Sequence, residues 1–177
     1  NKNSFLPFLT YCCCAIIIAD IVRVYSKTWA KTTEKIFQHI MKPQEKRGKL
    51  SGASYMFLGF VVSGYCFEQK LAITSWLVLI ISDALAAIGG VAFSTLRNKS
   101  THGICKRKNK TFMGSSIFFL SSVVIGYINF GVANISCYTF ASCSSVIVEY
   151  YAKQINLDDN FSIPICYCCG FVMLSAI

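Results

Sequence analysis

The sequence predicts an all-α integral membrane protein: a polytopic bundle of about six transmembrane helices in a single domain spanning residues 1–177. Hydrophobic residues make up 54% of the chain and charged residues only 14%, whereas a soluble domain carries about 25% charged residues. The apolar residues are grouped in long runs, and the polar remainder is basic, with a net charge of +9. These observations favour a membrane protein over a soluble domain.

The apolar runs are each interpreted as a membrane helix. They lie at about 5–22, 53–67, 71–93, 116–130, 132–148 and 161–177. Several are shorter than the ~20 residues of an isolated span, which is typical of a tight bundle whose polar ends reach toward the headgroups. The first run has no A-x-A cleavage pattern and is interpreted as a retained helix. The sequence leaves room for one more helix upstream of Asn1.

The basic residues predict the orientation of the bundle. Seven Lys/Arg lie between Lys27 and Lys49 and six between Arg97 and Lys110, so that these two segments hold thirteen of the 17. Two apolar runs separate them, which places them on the same side. The positive-inside rule assigns that side, and the candidate site with it, to the cytoplasm. Aromatic residues are not interleaved with the basic ones, so we expect no nucleic-acid partner.

Residues 27–42 predict a cytoplasmic amphipathic helix. Trp29, Ile36, Phe37 and Ile40 leave an apolar stripe with lysines opposite, which fits a helix lying in the headgroup plane. An ordinary solvated linker helix explains the pattern equally well.

The ten cysteines fall mostly in or beside apolar runs, where a free cysteine behaves as a small hydrophobic residue. The cluster Cys166-Tyr167-Cys168-Cys169 has the residue type of a metal site, but on a helix these side chains point to different faces and no histidine is near. The pattern favours packing over metal binding.

Asp83 is the first candidate for chemistry. It lies inside the third apolar run, where a charged side chain is costly and usually faces an interior cavity. Ala84, Ala86, Ala87 and Gly89 follow it, and such small residues let a helix or a ligand approach the backbone. The functional interpretation is a metal ligand or a general base. The alternative is an interhelical hydrogen-bond anchor.

The segment from Lys106 to Ser115 is the second candidate. Lys106, Arg107 and Lys110 precede Thr111, and Gly114-Ser115 opens the fourth run. A helix N-terminus with free N–H groups, a hydroxyl and a nearby lysine is typical of an anion site. Lysines that simply flank the cytoplasmic end of a membrane helix explain the segment equally well.

Carboxylates on the same predicted face form the third candidate. Glu149 ends the fifth run and Asp158-Asp159-Asn160 opens the sixth. Such oxygen ligands are those that Mg²⁺ uses together with a nucleotide, although Asp158 is better explained as a solvated helix end. Asp20 and Arg23, one turn apart, are placed to form an ion pair.

The order of these motifs resembles the CTP-dependent lipid kinases: dolichol kinase, the yeast-type diacylglycerol kinase, phytol kinase and their small bacterial relatives. This family is related to phosphatidate cytidylyltransferase. The resemblance rests on these residues: Ser82-Asp83-Ala84-x-Ala86-Ala87-x-Gly89, Lys110-Thr111-x-x-Gly114-Ser115, Glu149, Asp159-Asn160-x-x-x-Pro164 and, upstream, Gly52-Ala53-x-Tyr55-x-x-x-Gly59. In place of the family's Gly-Arg-x-x-Gly this chain has Gly89-Gly90-Val91-Ala92-Phe93.

The resemblance implies transfer of the γ-phosphoryl group of CTP to a lipid hydroxyl, with Mg²⁺ as cofactor. It implies catalytic roles for Asp83 and Lys110, and phosphate binding by Lys106, Arg107, Lys110, Thr111, Gly114 and Ser115. Asp83, Glu149 and Asp159 would bind the metal, with Gly52, Gly59, Ala87, Gly89 and Asn160 near the site.

The partners are therefore expected to be a nucleoside triphosphate and a membrane lipid alcohol, and the resemblance favours a bacterial inner membrane over the endoplasmic reticulum. Two alternatives stay open: a phosphatidate cytidylyltransferase that makes CDP-diacylglycerol, and a non-catalytic lipid-binding or transport protein. The acceptor lipid, the choice of CTP or ATP as the donor and the oligomeric state are left open by the sequence.

Overall fold

The structure is a computed structural model that describes residues 2–26, 29, 50–98, 112–152 and 157–176. All regular secondary structure in these ranges is helical. The predicted amphipathic helix at 27–42 lies outside the described residues apart from Trp29. The all-α prediction is confirmed for the part of the chain that is described.

The helices follow the apolar runs closely. In chain order they are α1 (Lys2–Tyr25), α2 (Gly52–Cys66), α3 (Gln69–Leu77), a π-helical segment (Val78–Ser82), α4 (Asp83–Asn98), α5 (Phe112–Phe130), a short 3₁₀ turn (Val132–Asn134), α6 (Ile135–Tyr151) and α7 (Asp159–Ser175). The π segment joins α3 and α4 end to end.

Within the described residues, three helical stretches are long and apolar enough to cross a membrane: Phe5–Tyr25, Gln69–Thr95 and Phe112–Phe130, of 21, 27 and 19 residues. Their outward faces carry large apolar side chains, such as Phe8, Ile88 and Ile128, which are 64%, 67% and 73% exposed. A soluble protein rarely exposes continuous apolar surface of this kind. The structure therefore agrees with a protein embedded in lipid.

Consecutive long helices run antiparallel, as contacts at both ends of each pair show. Near one end of the α5–α6 pair, a Cβ at Gly126 would meet the Tyr138 side chain, and at the other end Ser115 reaches Glu149. For α1 and α2, a Cβ at Gly64 would meet Leu6, whereas Asp20 bonds Ser54 at the opposite end. Elsewhere, Lys70 at the start of α3 lies over Phe130 at the end of α5, and Phe130 contacts Phe171 near the end of α7. The ends of α1, α4 and α6 therefore lie at the same end of the bundle as the starts of α2, α5 and α7.

The core combines large apolar side chains with buried hydroxyls. Phe118, Tyr138, Ile163 and Tyr167 are almost fully buried at its centre. Phe130 and Phe171 stack with their ring centroids 4.5 Å apart, and Lys70 lies over the Phe130 ring. Serine and threonine side chains such as Ser63, Thr74 and Ser142 are buried beside them, and small residues of this kind let membrane helices approach one another.

Two tight turns connect consecutive helices. Phe67 and Glu68 separate α2 from α3, and Glu68 is the N-cap of α3. Gly131, with a positive φ of 70°, follows the end of α5. Glycine adopts this backbone region without steric cost.

Candidate functional site

The candidate site lies at the end of the bundle where α1, α4 and α6 end and α2, α5 and α7 begin, hereafter the polar end. The two basic segments connect helices at this end: residues 27–49 lead from α1 to α2, and residues 99–111 lead from α4 to α5. Asp20, Ser115, Glu149 and Asp159 are all on helix segments close to it. The common location of these groups agrees with the topology predicted from the sequence.

A buried ionic cluster joins α1 to α2 at the polar end. Asp20 Oδ1 lies 3.1 Å from Arg23 Nη2, which confirms the ion pair predicted from the sequence. The other carboxylate oxygen accepts hydrogen bonds from the Ser51 backbone N–H, at 2.7 Å, and from the Ser54 hydroxyl. Ser51 is the N-cap of α2, and its own side chain accepts from Ser54 N–H. The carboxylate thus lies at a helix N-terminus, where negative charge is stabilised.

A second buried carboxylate joins α5 to α6. Glu149 is 4% exposed, and its Oε2 is 3.5 Å from the hydroxyl of Ser115, which donates to it. Ser115 lies in the first turn of α5, directly after the buried Gly114. Two residues that the sequence assigned to different motifs are therefore brought into contact at the start of α5.

The start of α7 lies against α2. A Cβ at Gly59 would be 3.1 Å from the carbonyl oxygens of Asn160 and Phe161. Pro164 has no N–H, so the carbonyl of Asn160 four residues earlier lacks its usual helical donor. Only glycine lets the α2 backbone approach this carbonyl so closely, and the Cα–H groups of glycine are weak donors suited to it. The predicted residues Gly59 and Asn160 are thus structural neighbours.

Asp83 begins α4 immediately after the π segment and is half-buried. A π-helical turn is rare; it occurs mostly as a single turn within an α-helix and is frequent at functional sites. Ser82, the last residue of this segment, is completely buried. The sequence pointed to Asp83 but carried no signal for the π segment, which packs against α5.

The depth of Asp83 follows from the packing of α4 against α5. A Cβ at Gly89 would overlap the tip of the Ile117 side chain, so these positions are level with each other. Asp83 is six residues before Gly89, and Ser115 is two residues before Ile117 in the opposite direction. At 1.5 Å per residue, Asp83 therefore lies roughly 12 Å deeper along the helix axis than Ser115.

The predicted metal ligands are consequently spread along the bundle. Glu149 and Asp159 belong to the polar end, while Asp83 is deeper. No group of three His, Cys, Asp or Glu side chains that could hold a metal ion occurs within the described residues. Two carboxylates at one end remain compatible with Mg²⁺, because this ion is commonly bound by one or two protein carboxylates and completed by substrate phosphates.

The remaining predicted residues are distributed as follows. Gly52 is the first residue of α2, Asp159 is the first residue of α7, and Asp158 is the N-cap of α7, which accepts a hydrogen bond from Asn160 N–H. On α4, Ala86 is buried and Ala87 is exposed. Lys106, Arg107, Lys110 and Thr111 lie outside the described residues, so their predicted phosphate contacts remain predictions.

Sequence reasoning missed two features of this end. It anticipated the Asp20–Arg23 pair but not the hydrogen bonds to Ser51 and Ser54, since those residues are about 30 positions away in the chain. It also gave no indication that Ser115 pairs with Glu149. A buried carboxylate in an apolar run was the available signal in both cases, because such a group needs polar partners somewhere in the bundle.

Comparison with known proteins finds two relatives. The chain is 35% identical over 156 residues to an uncharacterized protein of the bacterium Rickettsia prowazekii, covering 84% of this chain and 72% of that protein. It is 30% identical over 165 residues to an uncharacterized protein of Methanocaldococcus jannaschii, covering 93% of this chain and 77% of that protein. No protein-family model matches the sequence. No solved structure matches it either.

Proposed function

The chain belongs to the same protein family as these Rickettsia and Methanocaldococcus proteins, and we propose that it is a membrane lipid kinase within that family. It transfers the γ-phosphoryl group of CTP to the hydroxyl of a lipid alcohol at the cytoplasmic face. The observation that carries the proposal is the buried Glu149 held by Ser115 at the start of α5. A carboxylate beside a helix N-terminus, next to a cationic segment, suits binding of a metal-bound phosphate chain.

The proposal includes six membrane spans. Beyond the three long apolar helices, it adds α2, α6 and α7, which have 15, 17 and 17 residues. Helices of this length are shorter than the ~20 residues of an average span, and neighbouring longer helices and local thinning of the bilayer accommodate the difference. Exposed apolar residues on α6 and α7, including Ile147 and Met173, support contact with lipid.

The site then extends along α4 and α5. The basic residues Lys106, Arg107 and Lys110, with Thr111, Gly114 and Ser115, hold the phosphates at the polar end. The terminal phosphate points toward the deeper Asp83, across a distance that an extended triphosphate and two side chains can bridge. The resemblance described above and the alignment of Ser115, Glu149 and Asp83 along the bundle support this arrangement.

The reaction needs little covalent chemistry from the protein, because phosphoryl transfer depends mainly on positioning and on neutralising charge. The lipid hydroxyl oxygen forms a bond to the γ-phosphorus while the bond to the β-phosphate bridging oxygen breaks and CDP leaves. Asp83 accepts the hydroxyl proton. Glu149 and Asp159 would hold Mg²⁺, which neutralises phosphate charge when bound.

The decisive experiment is product analysis with the purified protein in lipid nanodiscs. CTP labelled at the γ-phosphate is supplied with Mg²⁺ and a panel of lipid alcohols, including diacylglycerol, a polyprenol and phytol. A lipid kinase gives a labelled phospholipid and CDP. A cytidylyltransferase gives pyrophosphate from CTP and phosphatidate. Absence of any product with CTP, and with γ-labelled ATP in its place, would leave a binding or transport protein.

Three variants test the assigned residues. Asp83→Asn, Lys110→Ala and Glu149→Gln are each expected to reduce turnover by about 10²-fold or more. The first removes the proton acceptor, the second a cation that binds the phosphates, and the third a carboxylate that would hold Mg²⁺. Glu68→Gln is the matched control, since Glu68 is exposed at the opposite end of the bundle and should leave turnover unchanged. Wild-type turnover in Asp83→Asn or Lys110→Ala, in protein that remains folded, would refute the assignment.

A further inference from the structure

Ser82 differs from the other buried serines and threonines of the bundle in its hydrogen bonding. Within the described ranges, seven other serines and threonines are at most 2% exposed, and each of their hydroxyls donates a hydrogen bond. Ser54 donates to Asp20. The other six donate to a carbonyl one turn earlier in their own helix: Ser63, Thr74, Ser75, Ser122, Ser142 and Ser145. Ser82 is 0% exposed, and its hydroxyl has no hydrogen-bond partner among the residues that the structure describes.

The π segment explains why Ser82 lacks the usual acceptor. In a regular α-helix a buried serine donates to the carbonyl three or four residues earlier. Ser82 ends a π turn, where the backbone is widened to an i→i+5 pattern, so the carbonyls of the preceding turn are not placed as in an α-helix. The hydroxyl is therefore buried without a hydrogen-bond partner in the part of the chain that the structure describes.

A buried hydroxyl of this kind destabilises the fold unless something else bonds it. Two further observations at the same place point to a ligand. The next residue, Asp83, is a carboxylate inside a membrane-spanning helix, and the residue one turn on from Ser82, Ala86, is buried but offers only a methyl group.

We propose that Ser82 is a substrate-binding residue that hydrogen-bonds the hydroxyl of the lipid alcohol beside Asp83. The inference rests on the proposed lipid kinase function, and it specifies how that site recognises its acceptor. The Ser82 hydroxyl donates one hydrogen bond to the substrate oxygen and leaves the substrate proton directed at Asp83. A neutral substrate hydroxyl suits this position, because a charged substrate group would lose its solvation there and serine provides no counter-charge.

The first test measures acceptor kinetics. Both proteins are measured in nanodiscs. Compared with the wild type, Ser82→Ala is expected to have a KM for dioctanoylglycerol or for farnesol that is at least tenfold higher, with an unchanged KM for CTP. Ser82→Thr, which keeps the hydroxyl, should restore most of the acceptor affinity. Ser122→Ala is the matched control: Ser122 is equally buried, but its hydroxyl is bonded to the Phe119 carbonyl at 2.9 Å.

The second test needs no catalysis. Without nucleotide, the alcohol that serves as substrate should raise the Tm of the wild-type protein, and its O-methyl ether should not. The shift should be lost in Ser82→Ala and kept in Ser122→Ala. In the absence of ligand, Ser82→Ala should unfold at the same temperature as the wild type or higher, because the substitution removes an unbonded polar group. A loss of function without a loss of stability is typical of a binding residue.

The outcomes separate the inference from the function on which it rests. If the wild type phosphorylates an alcohol and Ser82→Ala has an unchanged acceptor KM, the role of Ser82 is refuted while the kinase stands. If the wild type phosphorylates nothing, the proposed function fails, and the Tm measurement alone decides whether Ser82 binds an alcohol. Absence of a hydroxyl-dependent Tm shift with both alcohols, or an equal shift in Ser82→Ala, overturns the inference.

Discussion

At the scale of single residues, Asp20 shows how a carboxylate in an apolar helix can be satisfied. One carboxylate oxygen forms an ion pair with the Arg23 guanidinium, and the other accepts hydrogen bonds from the Ser51 N–H and the Ser54 hydroxyl. Both charged residues are less than a tenth exposed. Because a buried charge without partners is very costly, the cluster holds the end of α1 and the start of α2 in one arrangement.

Asp20→Ala is therefore expected to lower the free energy of unfolding by about 3 kcal/mol, since it leaves the Arg23 charge buried without this carboxylate. The measurement is an equilibrium unfolding titration in mixed micelles, followed by tryptophan fluorescence. Glu68→Ala is the control and should change stability by less than about 0.5 kcal/mol, because Glu68 is exposed and caps no helix with its side chain. Equal stability of the two variants would contradict the structural role of the cluster.

At the scale of helices, close approach depends on small residues at particular levels. Gly59 lets α2 contact the backbone of α7 at Asn160 and Phe161, whereas Gly89 lets α4 contact only the flexible tip of the Ile117 side chain. Backbone atoms cannot move aside without shifting a whole helix, while a side-chain tip can adopt another rotamer. The two glycines therefore differ in how strongly they constrain the bundle.

Gly59→Ala should destabilise the protein by about 1–3 kcal/mol through overpacking against the α7 backbone. Gly89→Ala should cost clearly less, because Ile117 can yield. Thermal unfolding of both variants in the same detergent gives the comparison. A larger loss for Gly89→Ala than for Gly59→Ala would show that the α2–α7 contact is not as tight as described.

The π segment is an α-helix with one additional residue. Deletion of Ile81, which is exposed, should convert Val78–Ser82 into a regular α-helical connection and keep α3 and α4 in their original phase. The variant should remain monodisperse and unfold at a Tm close to that of the wild type, but lose lipid kinase activity, because the Ser82 hydroxyl then bonds its own helix.

The control for this variant is deletion of Leu85, inside the regular part of α4. That deletion rotates all preceding residues relative to the following ones by about 100° and should disrupt folding. Retained activity after deletion of Ile81 would show that the π segment serves no purpose in the reaction.

At the scale of the whole molecule, the structure is a bundle with one end rich in charge and connections. The buried carboxylates Asp20 and Glu149 are both near the polar end, and the two basic segments join helices there. The opposite end has short turns such as that at Gly131. This asymmetry predicts that all chemistry with water-soluble substrates takes place on one side of the membrane.

The orientation can be tested with trypsin. Residues 27–49 and 97–110 contain most of the cleavage sites and should both be cut in inside-out vesicles, in which the cytoplasmic face is accessible. Both should be protected in sealed right-side-out vesicles, where the protease meets the opposite end of the bundle, which carries Lys2 and Lys70. Cleavage of one basic segment from each side would contradict a shared location and the proposed six spans.

The sequence by itself determined the features that depend on local composition. Long apolar runs and a shortage of charge predicted an α-helical membrane protein, because the free energy of transfer into lipid adds up over the consecutive residues of a helix. It also identified the Asp20–Arg23 pair, since residues one helical turn apart are neighbours in any helix. Asp83 was conspicuous for the same local reason, as a carboxylate within an apolar run.

Only the tertiary structure decided which distant residues meet. The contacts of Glu149 with Ser115, of Gly59 with Asn160 and of Asp20 with Ser51 depend on which helices are neighbours and on the rotation of each about its axis. Hydrophobic periodicity could not supply that information, because a helix that touches both lipid and protein is apolar on all sides. The unbonded hydroxyl of Ser82 likewise arose from a widened turn that no residue type encodes.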